Sequence, residues 1–293
     1  MVNTVLGLYF LDLRFISELS LGESKVEYSP LRCFRIGNIV NGLGTPMPRY
    51  VVKTRADSPA LKRAAVAIEQ AAWNALGYLN FTRAHFKHYD EVLERYADFQ
   101  ICLVDEDTGY PVAIGCCVPF YCADPAKLPA EGWDWIVESA GRADVTPNML
   151  GGLGISVPQV HRSKGLARLV IQAMKDLAIQ CGFEGVVIPV RPTAKSRHPD
   201  VAMSDYVHWT DERGRAYDPW LRSHLAAGGQ IVGEAKRSMV VEEPIPFWET
   251  WAGRTFDSSG AYKIDGALAP VKIELEGNVG RYEEPNVWVR YAA

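Results

Sequence analysis

The chain has 293 residues, 48% of them hydrophobic and 23% charged, and its formal net charge is −4. A chain of this length and composition can bury the core of a globular protein. Its small negative charge argues against a protein that binds nucleic acid. No apolar run reaches the roughly 18 residues that a membrane-spanning helix needs. Asp12 and Arg14 interrupt the apolar N-terminus before a signal-peptide cleavage site. We therefore expect a soluble protein that acts away from membranes.

The six cysteines contain no C-x-x-C pair and form no zinc-binding pattern. Free cysteines in apolar runs behave as small buried side chains, and reduced thiols are typical of the cytoplasm. His85 and His88 are one helical turn apart, as metal ligands can be, but no third ligand is near them in the sequence. We predict a cytoplasmic protein without a bound metal.

Residues 1–48 show weak periodicity and end in a run rich in glycine and proline. We predict that they form an N-terminal appendage with little regular structure and that residues 49–293 form a single domain. Met47 lies near the expected start of the folded unit, so a chain that begins there should stay active. Gly42 and Gly44 lack the third glycine and the following helix of a dinucleotide-binding turn, and they indicate an ordinary turn.

Strand and helix patterns alternate beyond the appendage. A short strand at 50–55 precedes a helix whose start is marked by Ser58 and Pro59, an N-cap serine and a proline at the first helical position. A second helix is predicted at 83–96 and a β-hairpin at 99–121.

The rest of the chain continues this alternation around two irregular inserts, 122–147 and 191–217. Further strands are predicted at 149–157, 185–190, 230–241, 270–275 and 286–291, and further helices begin at residues 166 and 219. Because no linker separates these elements, the pattern favours one α/β domain with mixed strand directions.

One stretch joins a glycine-rich strand to an amphipathic helix. Gly151, Gly152 and Gly154 would weaken an ordinary strand, and such glycines often mark a β-bulge or the close approach of a ligand. The turn that follows contains Arg162 and Lys164. Unpaired N–H groups at the start of the helix, the helix dipole and these two cations all favour an anion. The turn therefore predicts a site for the diphosphate of a coenzyme.

The residues of this turn resemble the acetyl-CoA motif of the GNAT superfamily of N-acetyltransferases, Arg/Gln-x-x-Gly-x-Gly/Ala. Arg162, Gly165 and Ala167 occupy its three signature positions, a few residues after a strand that ends in Val157. The order of predicted elements agrees with that family over residues 50–291. The resemblance implies an α/β fold with a central mixed, mostly antiparallel sheet, a splayed and bulged strand, and flanking helices.

The match is sharpest over residues 149–190, and it implies an acyl-CoA-dependent N-acyltransferase, most simply an acetyltransferase. In the family an amine attacks the thioester directly, so acetyl-CoA or another acyl-CoA would be the co-substrate. The acceptor would be a small-molecule amine, and an acyl carrier protein is an alternative acyl donor. The implied coenzyme-binding residues are Ile155 and Val157, through their backbone, with Arg162, Ser163, Lys164, Gly165, Leu166 and Ala167.

The resemblance also points to a general acid. Members commonly place a tyrosine four residues before a glycine in the helix after the second central strand, and here His224 stands four residues before Gly228. Histidine can donate a proton near neutral pH, so we predict that His224 protonates the leaving thiolate. The alternative is a histidine that only packs within its helix. The bulged strand carries no acid that could serve as the base, which leaves the acids of the two inserts: Asp124, Asp134, Glu138 and Asp205.

Other interpretations stay open at this point. The missing strand acid and the missing tyrosine favour a catalytically weak acyl-CoA-binding or interaction module on the same fold. A cysteine hydrolase would use Cys116 or Cys117, but no histidine or acid is placed to activate either thiol. The inserts hold aromatic residues that either line an acceptor site or pack against the core: Trp133, Trp135, Tyr206, Trp209 and Tyr217. They also hold three cations that could meet an acidic group: Arg191, Lys195 and Arg197.

Overall fold

The computed structural model describes residues 34–35, 49–142 and 144–292. The predicted appendage therefore lies outside the described residues, except for Phe34–Arg35, the short strand β1. β1 pairs antiparallel with β2 (Tyr50–Thr54). No helix in the described ranges has the length and hydropathy needed to cross a membrane.

The described strands form one ten-stranded sheet. The remaining strands are β3 (Ile101–Asp105), β4 (Pro111–Phe120), β5 (Met149–Ser156), β6 (Gly185–Val190), β7 (Gln230–Pro244), β8 (Gly260–Tyr262), β9 (Val271–Glu274) and β10 (Val279–Ala292). The sheet order is β1-β2-β3-β4-β5-β6-β10-β9-β8, and β7 pairs with β10. Every pairing is antiparallel except that of β5 with β6. The predicted mixed, mostly antiparallel sheet is confirmed.

Helices cover both faces of the sheet. They are α1 (Pro59–Trp73), α2 (Asp90–Arg95), α3 (Gly132–Ala140), α4 (Leu166–Gln180), α5 (Met203–Tyr206), α6 (Pro219–Ala226) and α7 (Ile245–Ala252). Because side chains of a strand alternate between faces, Cys116 of β4 packs into the core below α1 and α3, whereas Cys117 packs into the core below α4 and α6. The sheet therefore separates two apolar layers.

Two predicted segments in the first half of the chain differ from the structure. The predicted helix at 83–96 is a π-helical turn, His85–Tyr89, followed by the short helix α2. The first insert contains α3, because Trp133, Ile136, Val137 and Ala140 form one buried helical face. The prolines and polar residues on either side of this helix obscure its helical periodicity in the sequence.

The predicted bulge lies at the centre of the sheet. Cys116 of β4 pairs with Gly154 of β5, and the next residue of β4, Cys117, pairs with Gly152. Leu153 is thus an extra residue in the β5 strand, which bends the strand locally. On the other side of β5, the parallel pairing with β6 involves only Leu150 and Gly151. Beyond Gly151 the two strands diverge.

Candidate active site

The divergence of β5 and β6 opens a large cleft in the sheet. Leu153, Gly154 and Ile155 line it from β5, and Ile188 and Pro189 line it from β6. Pro189 has no N–H to donate to a neighbouring strand, which is consistent with the divergence of β5 from β6. The cleft has a volume of about 1290 Å³. It exceeds the volume of a usual small-molecule pocket, roughly 300–1,000 Å³, and so has room for a coenzyme and a second substrate.

One end of the cleft meets the N-terminus of α4. Gly165 precedes this helix in the left-handed conformation, with φ of 74°, and has no side chain to cap the first amides. By contrast, Ser58 caps α1 and Asp218 caps α6 through side-chain oxygens. The first N–H groups of a helix need partners from outside the helix. At α4 these groups lack a side-chain acceptor, so they are suited to an anionic ligand.

Most of the sequence-predicted coenzyme residues lie together at this end. The predicted residues that line the cleft are Ile155, Val157, Arg162, Ser163, Gly165, Leu166 and Ala167. Arg162 also donates from Nε to the Val157 carbonyl oxygen at 3.3 Å, which connects the turn to the end of the bulged strand. Lys164 is the one predicted coenzyme residue outside the cleft lining. Arg168, which the motif did not indicate, lines it as well.

His224 lines the cleft from the side of α6, with Trp220 and Ser223 on the same helical face. The residue is only 2% exposed, and its Nδ1 lies 2.7 Å from the Tyr291 hydroxyl oxygen, which orients the ring. Burial lowers the pKa of His224 to about 4. The imidazole is therefore neutral near pH 7. It can exchange hydrogen bonds with a ligand, but it holds no extra proton before a reaction begins.

A polar cluster lines the opposite wall of the cleft. Arg55 Nη2 lies 2.6 Å from Glu69 Oε2 and 3.3 Å from Cys116 Sγ. The Tyr89 hydroxyl donates to Glu69 Oε1. Burial raises the pKa of Cys116 and of Tyr89, so both remain protonated donors. A cysteine hydrolase is disfavoured, because burial also raises the pKa of Cys117, whose thiol donates to a backbone carbonyl.

A second ion pair lies in the cleft between the end of β6 and the middle of β10. Arg191 Nε lies 2.8 Å from Glu284 Oε1, and the two side chains are 9% and 0% exposed. Arg191 also donates from Nη2 to the Gly266 carbonyl oxygen, and the Tyr282 hydroxyl donates to Glu284. Because both charges have several partners, this pair forms a fixed part of the wall.

The inserts contribute less to the cleft than the sequence suggested. None of the acids proposed as a base lines it: Asp124, Asp134, Glu138 and Asp205. Trp133 is the one insert aromatic in the lining. Tyr206, Trp209 and Tyr217 pack against one another in tilted and edge-to-face arrangements instead. Lys195 is buried and donates to the carbonyl oxygens of residues 198 and 268. Sequence reasoning missed Glu69, since no motif connects α1 with the bulged strand.

Comparison with known proteins gives the class of this site. No family model matches the chain. The arginine N-acetyltransferase avaD of Aspergillus versicolor is 35% identical over 282 residues, which cover 85% of this chain and 95% of that protein. The fold is similar to the loading GNATL domain of CurA from Lyngbya majuscula, with 16% identity and a TM-score of 0.51 over 83% of this chain and 97% of that one. It is also similar to the GphF GNAT-like decarboxylase in complex with isobutyryl-CoA, with 19% identity and a TM-score of 0.50 over 82% and 98% of the two chains.

The splayed strand pair, the bulge and the uncapped helix N-terminus agree with the fold that the sequence resemblance implies. The chain belongs to the GNAT superfamily of N-acetyltransferases. It is an enzyme that transfers an acyl group from acyl-CoA to an amine.

Proposed function

We propose that the enzyme transfers an acetyl group from acetyl-CoA to the amine of a small cationic molecule, with arginine as the first acceptor to test. The observation that carries the proposal is the cleft between β5 and β6, which ends at the uncapped helix α4. The name of the Aspergillus relative supports arginine as the acceptor. The carboxylates of Glu69 and Asp90 and the indole of Trp133 line the cleft, and they suit a positively charged acceptor.

The proposed coenzyme site runs along β5 to the start of α4. The backbone of Ile155 and Val157 would pair with the pantetheine arm, as the resemblance to the family implies. The diphosphate would be held by the turn and the first helical amides: Arg162, Ser163, Lys164, Gly165, Leu166 and Ala167. Amide donors need no side-chain ordering, and the arginine adds a charge-assisted bond. Two phosphates suit this cationic turn better than the single phosphate of a carrier-protein arm, which favours free acyl-CoA as the donor.

His224 is proposed to act on the sulfur of the thioester. Because its imidazole is neutral at pH 7, it carries one N–H. The Tyr291 hydroxyl lies within hydrogen-bond distance of both His224 Nδ1 and the His224 carbonyl oxygen. When it donates to Nδ1, the imidazole proton is on Nε2, which can donate a hydrogen bond to the departing sulfur. A hydrogen bond to a charged group contributes about 1.5–3 kcal/mol, so replacement of His224 by alanine should lower turnover by about 10- to 10²-fold. An unchanged rate would leave His224 with a packing role only.

Two measurements test the proposed function. Acetyl-CoA at about 100 times its Kd should stabilise the protein by about 2.7 kcal/mol in a thermal unfolding experiment. Release of free thiol in the presence of arginine should then be compared with lysine, agmatine and Nα-acetylarginine. Absence of stabilisation by acetyl-CoA and by longer acyl-CoA esters would refute the coenzyme assignment. Stabilisation without thiol release from any amine would refute the transfer.

A matched pair of substitutions tests the coenzyme turn. Arg162 lines the cleft and Lys164 does not. Loss of a hydrogen bond to a charged group costs about 1.5–3 kcal/mol, so Arg162→Ala should weaken acetyl-CoA binding by about tenfold or more. Lys164→Ala should have a smaller effect, because its charge acts from outside the cleft. Calorimetric titration measures both, and equal effects of the two substitutions would contradict the assigned geometry.

A further inference from the structure

Among the described residues, three carboxylates line the cleft: Glu69, Asp90 and Glu284. Glu284 is fully buried and accepts hydrogen bonds from Arg191 and Tyr282. Asp90 is exposed to solvent at the start of α2. Glu69 lies in α1 and keeps 18% of its side chain exposed. Of these three carboxylates, Glu69 is therefore the one that is both held by hydrogen bonds and partly open to the cleft.

Three donors orient Glu69. The Arg55 guanidinium binds Oε2, while the Tyr89 hydroxyl and the Cys116 thiol approach Oε1, the thiol at 3.7 Å. Arg55 is 7% exposed and Cys116 is 4% exposed, so the donors come from the interior of the protein. The carboxylate has little freedom to swing away from the cleft. A group held in this way is preorganised for a single task.

The cluster lies beside the strand position that the proposed coenzyme arm approaches. Cys116 pairs with Gly154 across the ladder, directly next to the bulge residue Leu153. A pantetheine arm that runs from the diphosphate turn along Val157 and Ile155 reaches Gly154 and Leu153 next. The thioester at the end of the arm would thus lie near the strand position whose partner, Cys116, contacts Glu69. An amine or one water in the cleft would connect the two groups.

We propose that Glu69 is the general base of the transfer. Its carboxylate takes a proton from the acceptor amine, directly or through one water, as the nitrogen forms its bond to the thioester carbonyl carbon. The carbon–sulfur bond then breaks, and its electron pair leaves with the sulfur, which takes a proton from solvent and departs as the free thiol, while Glu69 returns its proton to solvent. Arg55 and Tyr89 are positioning residues that act through Glu69. This assignment rests on the proposed transfer to an amine and supplies the base that β5 lacks.

The test compares Glu69→Gln with Glu94→Gln, an exposed glutamate of α2 that pairs with Lys62. Loss of a general base lowers the rate by about 10²–10⁴-fold, so kcat/KM for arginine should fall by this factor in Glu69→Gln only. The affinity for acetyl-CoA, measured by calorimetry, should stay at the wild-type value in both variants.

The outcomes separate this inference from the proposed function. A Glu69→Gln enzyme with the wild-type rate overturns the assignment and leaves the proposed function intact. A wild-type protein that releases no thiol with any amine refutes the proposed function instead. If the unpaired Arg55 prevents Glu69→Gln from folding, the double substitution Arg55→Met and Glu69→Gln removes both charges. A folded double variant that binds acetyl-CoA but has lost the rate supports the assignment, and one that keeps the wild-type rate overturns it.

Discussion

The buried imidazole of His224 should make the enzyme sensitive to acid. In the folded protein its pKa is lowered to about 4, against an ordinary value of 6.5. Between these two pH values the unfolded chain binds a proton at this position and the folded chain does not, so stability falls as the pH falls. Each pKa unit corresponds to about 1.4 kcal/mol. Between pH 7 and pH 4 this histidine should therefore remove about 3 kcal/mol from the free energy of unfolding.

The substitution His224→Phe isolates this contribution, because phenylalanine keeps an aromatic ring in the helix and does not titrate. At pH 7 the variant should be less stable by about 1 kcal/mol, the usual value of one hydrogen bond, here the one to Tyr291. At pH 4 the order should be reversed, and the variant should be more stable than the wild type by about 2 kcal/mol.

Urea unfolding followed by tryptophan fluorescence at several pH values measures the difference between the two proteins. The difference matters more than either curve alone, because burial raises the pKa of Asp134 to about 7 and gives a pH dependence of the opposite sign. That contribution is common to both proteins and cancels. If the difference in the free energy of unfolding between the wild type and the variant stays constant from pH 7 to pH 4, the assignment of a neutral, buried His224 is refuted.

Two further predictions concern the walls of the cleft. Arg191→Met leaves the buried Glu284 without its ionic partner, so the free energy of unfolding, measured in urea, should fall by about 3–5 kcal/mol. Adding Glu284→Gln should restore most of this stability. A double variant that recovers no stability would argue against a simple ion pair. A methyl group at Gly152 would lie 2.7 Å from Ile188, whereas one at Gly154 makes only an ordinary contact. Gly152→Ala should therefore lower stability by about 1–3 kcal/mol, while Gly154→Ala should keep its melting temperature and bind acetyl-CoA more weakly in calorimetry. Equal melting temperatures for the two alanine variants would contradict this contrast.

Several features of the fold can be predicted from residues that are close together in the sequence. Ser58 and Asp218 form side-chain caps in the structure at the helix starts that the sequence predicts, because caps depend on residues a few positions apart. The bulge was predicted from glycine content, and the ladder shift confirms it at Gly154. Helix α7 was missed. It begins directly at the end of β7, with no loop between the two elements.

The two halves of the cleft differ in how far a sequence can reveal them. The residues of the coenzyme turn are contiguous in the sequence, so the fixed spacing of Arg162, Gly165 and Ala167 identifies the motif. The acceptor wall has no such spacing: Glu69 is brought to the bulge by the packing of α1 on β4, and its contact with Cys116 spans 47 residues. Such a contact depends on which face each element buries. For this reason the acids of the neighbouring inserts, which the sequence suggests as a base, lie outside the cleft, whereas the packing of α1 places Glu69 beside the strand along which the arm is proposed to lie.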